Sequence, residues 1–331
     1  MSETKLETAV VRPSSFRFGE VSSLTALRKA SSAVPSLGPL AEFTGTFTGH
    51  GFNTIFRPES TQTPTPLPVP VPAPPSDNIL ELNLTSETLS FSKSLGSVPN
   101  RGMVQGDIFL NGVPYLQTIS DVTIPSQPTG IHFEPGLWVI VPATTDPAEG
   151  PTLVRMASIP HGTTIEAQGT FFTSNGKPNI PAVDITPFIT GSSPIKKITF
   201  PSQTATNENT PRIPQNLVPF VAAGTITQAM LTDPNTFLRN HIASQTITST
   251  TTLIISTSPA APLFGGGTDN IAFLLGDAAA LTNPAAKGPN AQALSMSAIF
   301  WIETVEHVIH VPIFKPGQPP LTIPGETGEA G

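Results

Sequence analysis

Residues 42–57, EFTGTFTGHGFNTIFR, are the stretch of sequence that decides the fold. Their side chains alternate with the two-residue period of a β-strand. Two glycines fall on one face of this strand, where they either allow a sharp bend or leave room for a ligand against the backbone. We therefore expect that face to point inward. It carries Phe47, Gly49, Gly51, Asn53, Ile55 and Arg57, whereas His50, Phe52, Thr54 and Phe56 lie on the other face.

Further segments of the chain share this strand period. A turn near Thr85–Glu87 divides one of them into a hairpin, and Asn111-Gly112 is typical of a tight hairpin turn in another. Residues 61–76, TQTPTPLPVPVPAPPS, predict an exposed polyproline loop, because proline lacks the backbone donor of a central strand. The predicted strands are 79–95, 102–125, 130–143, 151–160, 163–173, 195–200, 246–258 and 295–314.

One segment, 233–245, predicts a helix, with an Asp N-cap followed by Pro at the first helical position. The Gly- and Ala-rich stretch 263–288 predicts a loop. Many strands around one apolar core predict an all-β fold, and closing the sheet would remove its exposed edges. We expect a closed antiparallel β-barrel over residues 37–315, with an N-terminal arm at 1–36 and a C-terminal tail at 316–331.

The composition excludes several classes of protein. The chain of 331 residues has no cysteine, so disulfides, thiolate nucleophiles and cysteine-ligated metals are excluded. Its net charge of -7 and its scattered Lys and Arg argue against a nucleic-acid partner. No apolar stretch predicts a membrane span and the N-terminus has no secretory h-region, so we expect a cytoplasmic protein.

Motifs for the commonest enzyme chemistries are missing. The sequence contains no G-x-S-x-G, no G-x-G-x-x-G and no P-loop, and its six histidines lack the spacing of a metal site. Polar and aromatic groups embedded in apolar strands remain as candidates for a small-molecule pocket. Arg155 and His161 have equally plausible structural roles, in an ion pair and a turn. The candidates are Arg57, Arg155, His132, His161, Trp138 and Trp301.

Four segments carry a resemblance to known proteins. Residues 37–58, LGPLAEFTGTFTGHGFNTIFRP, resemble the opening strand of nitrobindin-like and lipocalin-like β-barrels, whose pocket can hold haem. The segments 132–147, 151–169 and 298–306 look like a haem-binding-like group of fungal and bacterial barrels, closest to fungal hetero-Diels–Alderases of tropolone–sesquiterpenoid biosynthesis. The resemblance implies an enzyme of secondary metabolism, without a cofactor, that couples a tropolone quinone methide to a sesquiterpene polyene.

Under this resemblance Arg57, Arg155 and His161 would assist loss of water and polarise a carbonyl. Binding of the apolar substrates would involve Phe47, Gly49, Gly51, Phe52, Asn53, His132, Trp138 and Trp301.

Three functions fit the sequence, and an oligomer is compatible with each. The first, which we favour, is this cofactor-independent pericyclase acting on apolar small molecules. The second is a non-catalytic binder of haem or another hydrophobic molecule, with His132 or His161 as the axial ligand of haem. The third is a scaffold with a filled barrel.

Overall fold

The computed structural model is a mostly antiparallel β-protein with a few short helices. It describes residues 34–59, 65–67, 77–101, 105–189, 192–258, 265–270, 295–307 and 317. The strands are β1 (Thr46–Glu59), β2 (Asp77–Phe91), β3 (Val98–Asn100), β4 (Ile108–Asp121), β5 (Thr129–Val141), β6 (Thr144–Thr145), β7 (Ala148–Glu149), β8 (Thr152–Ser158), β9 (Thr163–Asn175), β10 (Ile247–Ser256), β11 (Gly265–Asn270) and β12 (Ser297–Val305). The helices are α1 (Val218–Ala222), α2 (Gln228–Thr232) and α3 (Asn235–His241), with 3-10 turns at Gly38–Glu42 and Pro201–Gln203.

Ten strands form one strongly curled sheet, eight of them in the order β1-β2-β4-β5-β8-β9-β10-β12. Strand β3 also pairs with β4, and β11 also pairs with β9, while β6 and β7 form a separate ribbon. In the described part of the chain β1 and β12 each pair with one neighbour only, so the sheet is a half-barrel. The prediction of a closed barrel is therefore wrong, although that of an antiparallel β-fold is confirmed.

Two predicted hairpin turns lie inside continuous strands. Thr85 is in the middle of β2 and pairs with Gly51 on one side and Asp121 on the other. Asn111 lies in β4, where its amide donates to the Pro35 carbonyl oxygen at 2.7 Å. Local turn propensity is overridden at both places by pairing with distant parts of the chain.

Three further segments differ in part from the elements that were predicted for them. The predicted helix forms as α3, but it begins after Pro234, and the Asp233 carboxylate instead binds Arg239 and the Val183 amide. The predicted strand at 195–200 makes only one isolated bridge, between Phe188 and Lys197. The predicted loop at 263–288 contains β11, while residues 263–264 and 271–288 lie outside the described residues.

The concave side of the curled sheet, here called the inner face, holds the largest apolar cluster. Alternate residues of β4, β5, β8, β9, β10 and β12 meet there, and the 3-10 turn at Gly38–Glu42 adds Leu40 to them. Leu153, Ala167, Leu253 and Ile255 have no measurable solvent exposure. Burial of such side chains, at roughly 25 cal/mol per Å² of apolar surface, is the main source of stability for the fold.

The convex side, here called the outer face, is partly covered by the segment between β9 and β10. One cluster there joins Leu80 and Leu82 of β2 to Leu217, Ile226 and Leu231. A second cluster joins Ile180, Ile242 and Ile247, against which Leu238, Trp301 and Val305 pack. Because of these two clusters, strands β1, β2, β10 and β12 make apolar contacts on both of their faces.

The predicted N-terminal arm is described only at residues 34–36, the proline-rich loop only at 65–67 and the C-terminal tail only at 317. Among the described residues, no helix has the length and apolar character needed to cross a membrane.

Candidate functional site

A cluster of four polar side chains on the inner face is the candidate site. His132 and Glu134 lie two residues apart on β5 and therefore point to the same side of the sheet. Tyr115 comes from β4 and Arg155 from β8, the two strands that flank β5. We call His132, Glu134, Tyr115 and Arg155 the inner-face tetrad.

Glu134 is the centre of the tetrad. Its Oε1 atom accepts hydrogen bonds from the Tyr115 hydroxyl and from Nη2 of Arg155. Its Oε2 atom lies 3.1 Å from Nε2 of His132. Nε of Arg155 closes the arrangement by donating to the Tyr115 oxygen at 2.8 Å. Each member is thus fixed by at least one other, as a preorganised polar site requires.

Aromatic rings surround the Arg155 guanidinium. Its Cζ atom lies 5.3 Å from the ring centre of Phe300, 5.6 Å from that of Tyr115 and 5.7 Å from that of Trp138. Trp138 and Phe300 meet edge to face at 5.1 Å. The electron-rich ring faces stabilise the buried cation, so the charge does not depend on Glu134 alone.

The tetrad keeps its charges although it is buried. Glu134 is 3% exposed, and burial alone would raise its pKa. The hydrogen bond from His132, the charge of Arg155 and the hydrogen bond from Tyr115 outweigh burial and lower the pKa of Glu134 to about 2. Burial likewise opposes ionisation of Arg155, but its interactions with Tyr115 and Glu134 leave its pKa raised. The site therefore contains a carboxylate and a guanidinium.

Tyr115 remains a neutral phenol over a wide pH range. Burial raises the pKa of its hydroxyl, and the positive charge of Arg155 only partly offsets this. Because Tyr115 accepts from Arg155 and donates to Glu134, its hydroxyl holds those two charged groups in register.

A second histidine lies beside the tetrad. His161, in the turn between β8 and β9, places its ring 5.1 Å from that of His132 in an edge-to-face contact. Its Nε2 atom accepts from the backbone amide of Phe133 at 3.4 Å. Burial, together with the proximity of His132, lowers the pKa of His161. His161 thus acts as a neutral acceptor that ties the turn to β5.

The inner face is filled on one side of the tetrad. Arg155 pairs in register with Trp138, which is 2% exposed, and next to them Leu153 is fully buried. On the other side the strands carry His132 and Glu87, which are only partly buried. A ligand on the inner face would therefore lie on the His132 side, with the packed aromatic cluster as its floor.

Arg155 has donor capacity that the tetrad does not use. Its Nη1 atom makes no hydrogen bond within the described part of the chain, and it is not fully buried. The side chain retains 11% of its exposure. A guanidinium has five N–H donors, so Arg155 can bind an acceptor on a ligand while still holding Tyr115 and Glu134.

The structure brings three of the predicted site residues together. Arg155, His132 and Trp138 share the inner face, and His161 lies at its rim. Phe47 faces the same way, since its ring meets that of Phe91, which packs against the inner cluster.

The remaining predicted residues of β1 lie along a separate polar row. Gly49 and Gly51 pair with Glu87 and Thr85 of β2. Further along the strand, Asn53 accepts from the Asn83 amide at 3.0 Å. Arg57 is bonded to Glu81 at 2.8 Å and is more than one-third exposed. In the part of the chain that the structure describes, neither Arg57 nor Asn53 forms a hydrogen bond with the tetrad.

Phe52 and Trp301 lie on the outer face. The ring of Phe52 packs edge to face on Phe237 of α3 at 5.4 Å, and Trp301 packs into the cluster of Ile180 and Ile242. Both therefore point away from the tetrad. The prediction that Phe52 and Trp301 line the same pocket as Arg155 is therefore wrong, because their side chains lie on the opposite face of the sheet.

Sequence reasoning missed Tyr115 and Glu134. Glu134 was detectable, because it lies on the same face of one strand as His132 and Trp138, two candidates. Tyr115 carries a weaker indication as the only tyrosine of the chain. Its position opposite Gly136 depends on the β4–β5 register, which was misjudged when Asn111-Gly112 was interpreted as a turn.

A groove on the described surface lies apart from the tetrad. It encloses about 630 Å³ and is open to solvent, with walls from Pro135, Leu137, Met156 and Glu166 and from β11. These side chains alternate with inner-face residues, and no tetrad member lines the groove.

His132 and His161, the histidines predicted as axial ligands of haem, have their Nε2 atoms occupied by protein groups, so only Nδ1 of either ring could bind iron. Nε2 of His132 is bonded to Glu134, and Nε2 of His161 accepts from a backbone amide. His50 is exposed on the outer face. In the described ranges, no three His, Asp or Glu side chains are grouped so that they could hold a metal ion.

No protein-family profile, curated protein sequence or solved structure matches the chain. The functional argument therefore depends on the site itself.

Proposed function

We propose that the protein is a cofactor-independent enzyme of secondary metabolism that binds apolar, oxygen-bearing molecules on the inner face of its sheet. In the specific form of the proposal, it couples a tropolone quinone methide to a sesquiterpene polyene in an intermolecular hetero-Diels–Alder reaction. The observation that supports it is the ion pair of Arg155 and Glu134 at the boundary between the packed aromatic core and the open side of the inner face.

Energetics favour a functional role for this ion pair. A buried ion pair usually contributes less stability than well-packed apolar residues of the same volume, by about 1–4 kcal/mol. Arg155 is 9% exposed and Glu134 is 3% exposed, so both bear that cost. In a scaffold, apolar residues of the same volume could take their place, whereas an enzyme gains a fixed donor next to an apolar surface.

The reaction needs little more than orientation and one donor. Addition of the polyene double bond across the heterodiene forms one C–O and one C–C bond and releases no atom. A hydrogen bond from Nη1 of Arg155 to the oxygen of the quinone methide withdraws electron density from the heterodiene, which accelerates attack by an electron-rich alkene. The rings of Trp138 and Phe300 provide the apolar floor. Holding both reactants there removes much of the entropic cost of bringing them together.

The direct test is a coupled assay. Purified protein is incubated with a hydroxymethyl tropolone precursor and a humulene-type polyene, and the adduct is quantified by liquid chromatography and mass spectrometry. We expect adduct to form faster than without protein and with a single stereochemical outcome. Adduct formed at the uncatalysed rate, with measurable polyene binding, would assign the protein as a binder and overturn the enzymatic proposal.

Two variants sharpen this test. Arg155→Met should lower the coupling rate by about 100-fold, the usual effect of removing one preorganised donor. Arg239→Met is the matched control, because Arg239 is also paired with a carboxylate, Asp233, but belongs to α3 outside the inner face. Circular dichroism and the unfolding midpoint verify that both variants fold. Equal loss in the two variants would remove Arg155 from the mechanism.

A further inference from the structure

We propose that His132 is a proton-transfer residue, oriented by Glu134, that generates the quinone methide from its hydroxymethyl precursor on the inner face. This inference rests on the proposed function and assigns to His132 a step that precedes coupling. The observation behind it is the set of hydrogen bonds around Glu134. Tyr115 and Arg155 hold its carboxylate in place, and the carboxylate in turn fixes one ring nitrogen of His132.

The contacts of Glu134 determine which nitrogen of His132 carries the proton. Glu134 already accepts from Tyr115 and Arg155, and an ionised carboxylate can only accept. The 3.1 Å contact with Nε2 of His132 is therefore a hydrogen bond donated by Nε2–H. The neutral ring then has its lone pair on Nδ1, as in other carboxylate–histidine pairs that act in proton transfer.

Nδ1 of His132 has access to a ligand. It makes no hydrogen bond in the part of the chain that the structure describes, and the side chain is 21% exposed. His132 lies on the open side of the tetrad, away from the filled core around Leu153. A base with this geometry can reach a hydroxyl proton of a molecule whose ring rests on the aromatic floor.

Other charged groups define the environment of His132. Glu134 faces it from the same strand, Arg155 and Tyr115 lie behind Glu134 from β8 and β4, and His161 faces it from the β8–β9 turn. Glu134 stabilises an imidazolium at His132.

The proposed step conserves atoms and charge. Nδ1 of His132 removes the proton of the ring hydroxyl next to the hydroxymethyl group, and the released electron pair forms the ring carbonyl. The ring π-electrons shift to make an exocyclic C=C bond as the C–O bond to the hydroxymethyl oxygen breaks. The imidazolium returns its proton to that oxygen, which leaves as water. No oxidant, reductant or cofactor is consumed.

A bypass experiment separates this role from a structural one. His132→Gln retains an N–H donor for Glu134 but cannot accept and return a proton. We expect this variant to lose at least 100-fold in adduct formation from the hydroxymethyl precursor. Its loss should be much smaller when the quinone methide is generated chemically in the same mixture from a masked precursor, because the proton transfer is then bypassed.

The matched control is His50→Gln, which changes an exposed histidine on the outer face and should alter neither reaction. A further readout is the pH profile: the rate from the hydroxymethyl precursor should lose one ionisation in His132→Gln, and added imidazole should restore part of the rate. Equal losses from both precursors would make His132 a positioning residue and overturn the inference. Failure of the wild type with both precursors would instead overturn the proposed function.

Discussion

Gly136 lies directly beneath the ring of Tyr115. A Cβ atom at position 136 would be 2.3 Å from Cζ of Tyr115 and 2.4 Å from its hydroxyl oxygen. No real Cβ contact is that short, so the absence of a side chain at Gly136 allows Tyr115 to reach Glu134 and Arg155. The tetrad thus depends on a residue that takes no part in its hydrogen bonds.

Replacing Gly136 with Ala should therefore displace Tyr115. We expect destabilisation by about 1–3 kcal/mol, the usual cost of overpacking a core, measured by urea unfolding. Gly130→Ala is the control on the same strand, because a Cβ there meets nothing within 4 Å. Since Tyr115 is the only tyrosine, the tyrosine component of the near-ultraviolet absorption, separated from that of the two tryptophans by its second derivative, reports the displacement. Equal unfolding midpoints for the two variants would contradict the close approach seen at Gly136.

Acid should destabilise the protein through Glu134. Its pKa is about 2 in the folded protein and about 4.5 in an unfolded chain, so the unfolded state takes up the proton first as pH falls. The stabilisation is complete above pH 4.5 and is lost between there and about pH 2, by on the order of 3 kcal/mol. The free energy of unfolding as a function of pH measures this loss, and Glu134→Gln should flatten the slope in that window. An unchanged slope in the variant would count against the assignment.

Arg155 and Glu134 should be strongly coupled. Removing one partner of a buried ion pair leaves an unpaired charge and costs about 3–5 kcal/mol. We expect Arg155→Met and Glu134→Gln each to cost about this much, and the double variant to cost clearly less than their sum. Chemical denaturation of the four proteins completes the cycle. The same cycle on the exposed pair Arg101 and Asp107 should show coupling below about 1 kcal/mol; similar coupling in both cycles would argue that the tetrad is solvated.

The two tryptophans should report on different faces of the sheet. Trp138 lies in the aromatic floor of the inner face, whereas Trp301 packs on the outer face. Addition of an apolar tropolone should quench the fluorescence of Trp301→Phe, in which only Trp138 remains. It should leave Trp138→Phe nearly unchanged. Quenching in the second variant alone would move the ligand site to the outer face.

The strands with clear alternation could be predicted from sequence, and so could the inward face of the opening strand near Phe47. The alternation also placed His132 and Trp138 on one face of β5. Such predictions succeed because the two-residue period is a local property of the chain.

Features that depend on distant pairing could not be predicted. Gly112 is a glycine because its Cβ would lie 2.4 Å from the Trp138 carbonyl oxygen, a contact set by the neighbouring strand and unrelated to a turn. Closure of the barrel likewise requires β1 to meet β12, a pairing between the ends of the sheet that local alternation does not encode. Tyr115 was missed for the same reason, since its partners come from two other strands.

One edge of β9 is shared by two separate pieces of chain. β10 ends with Ser256 opposite Gln168, and β11 begins with Gly265 opposite the same residue. Each piece has its own register with β9, so the length of the connection between them is not fixed by the ladder. This junction is a natural point for evolutionary insertions and for grafting a reporter peptide or affinity tag, because added residues there would leave the hydrogen-bond register of both neighbours intact.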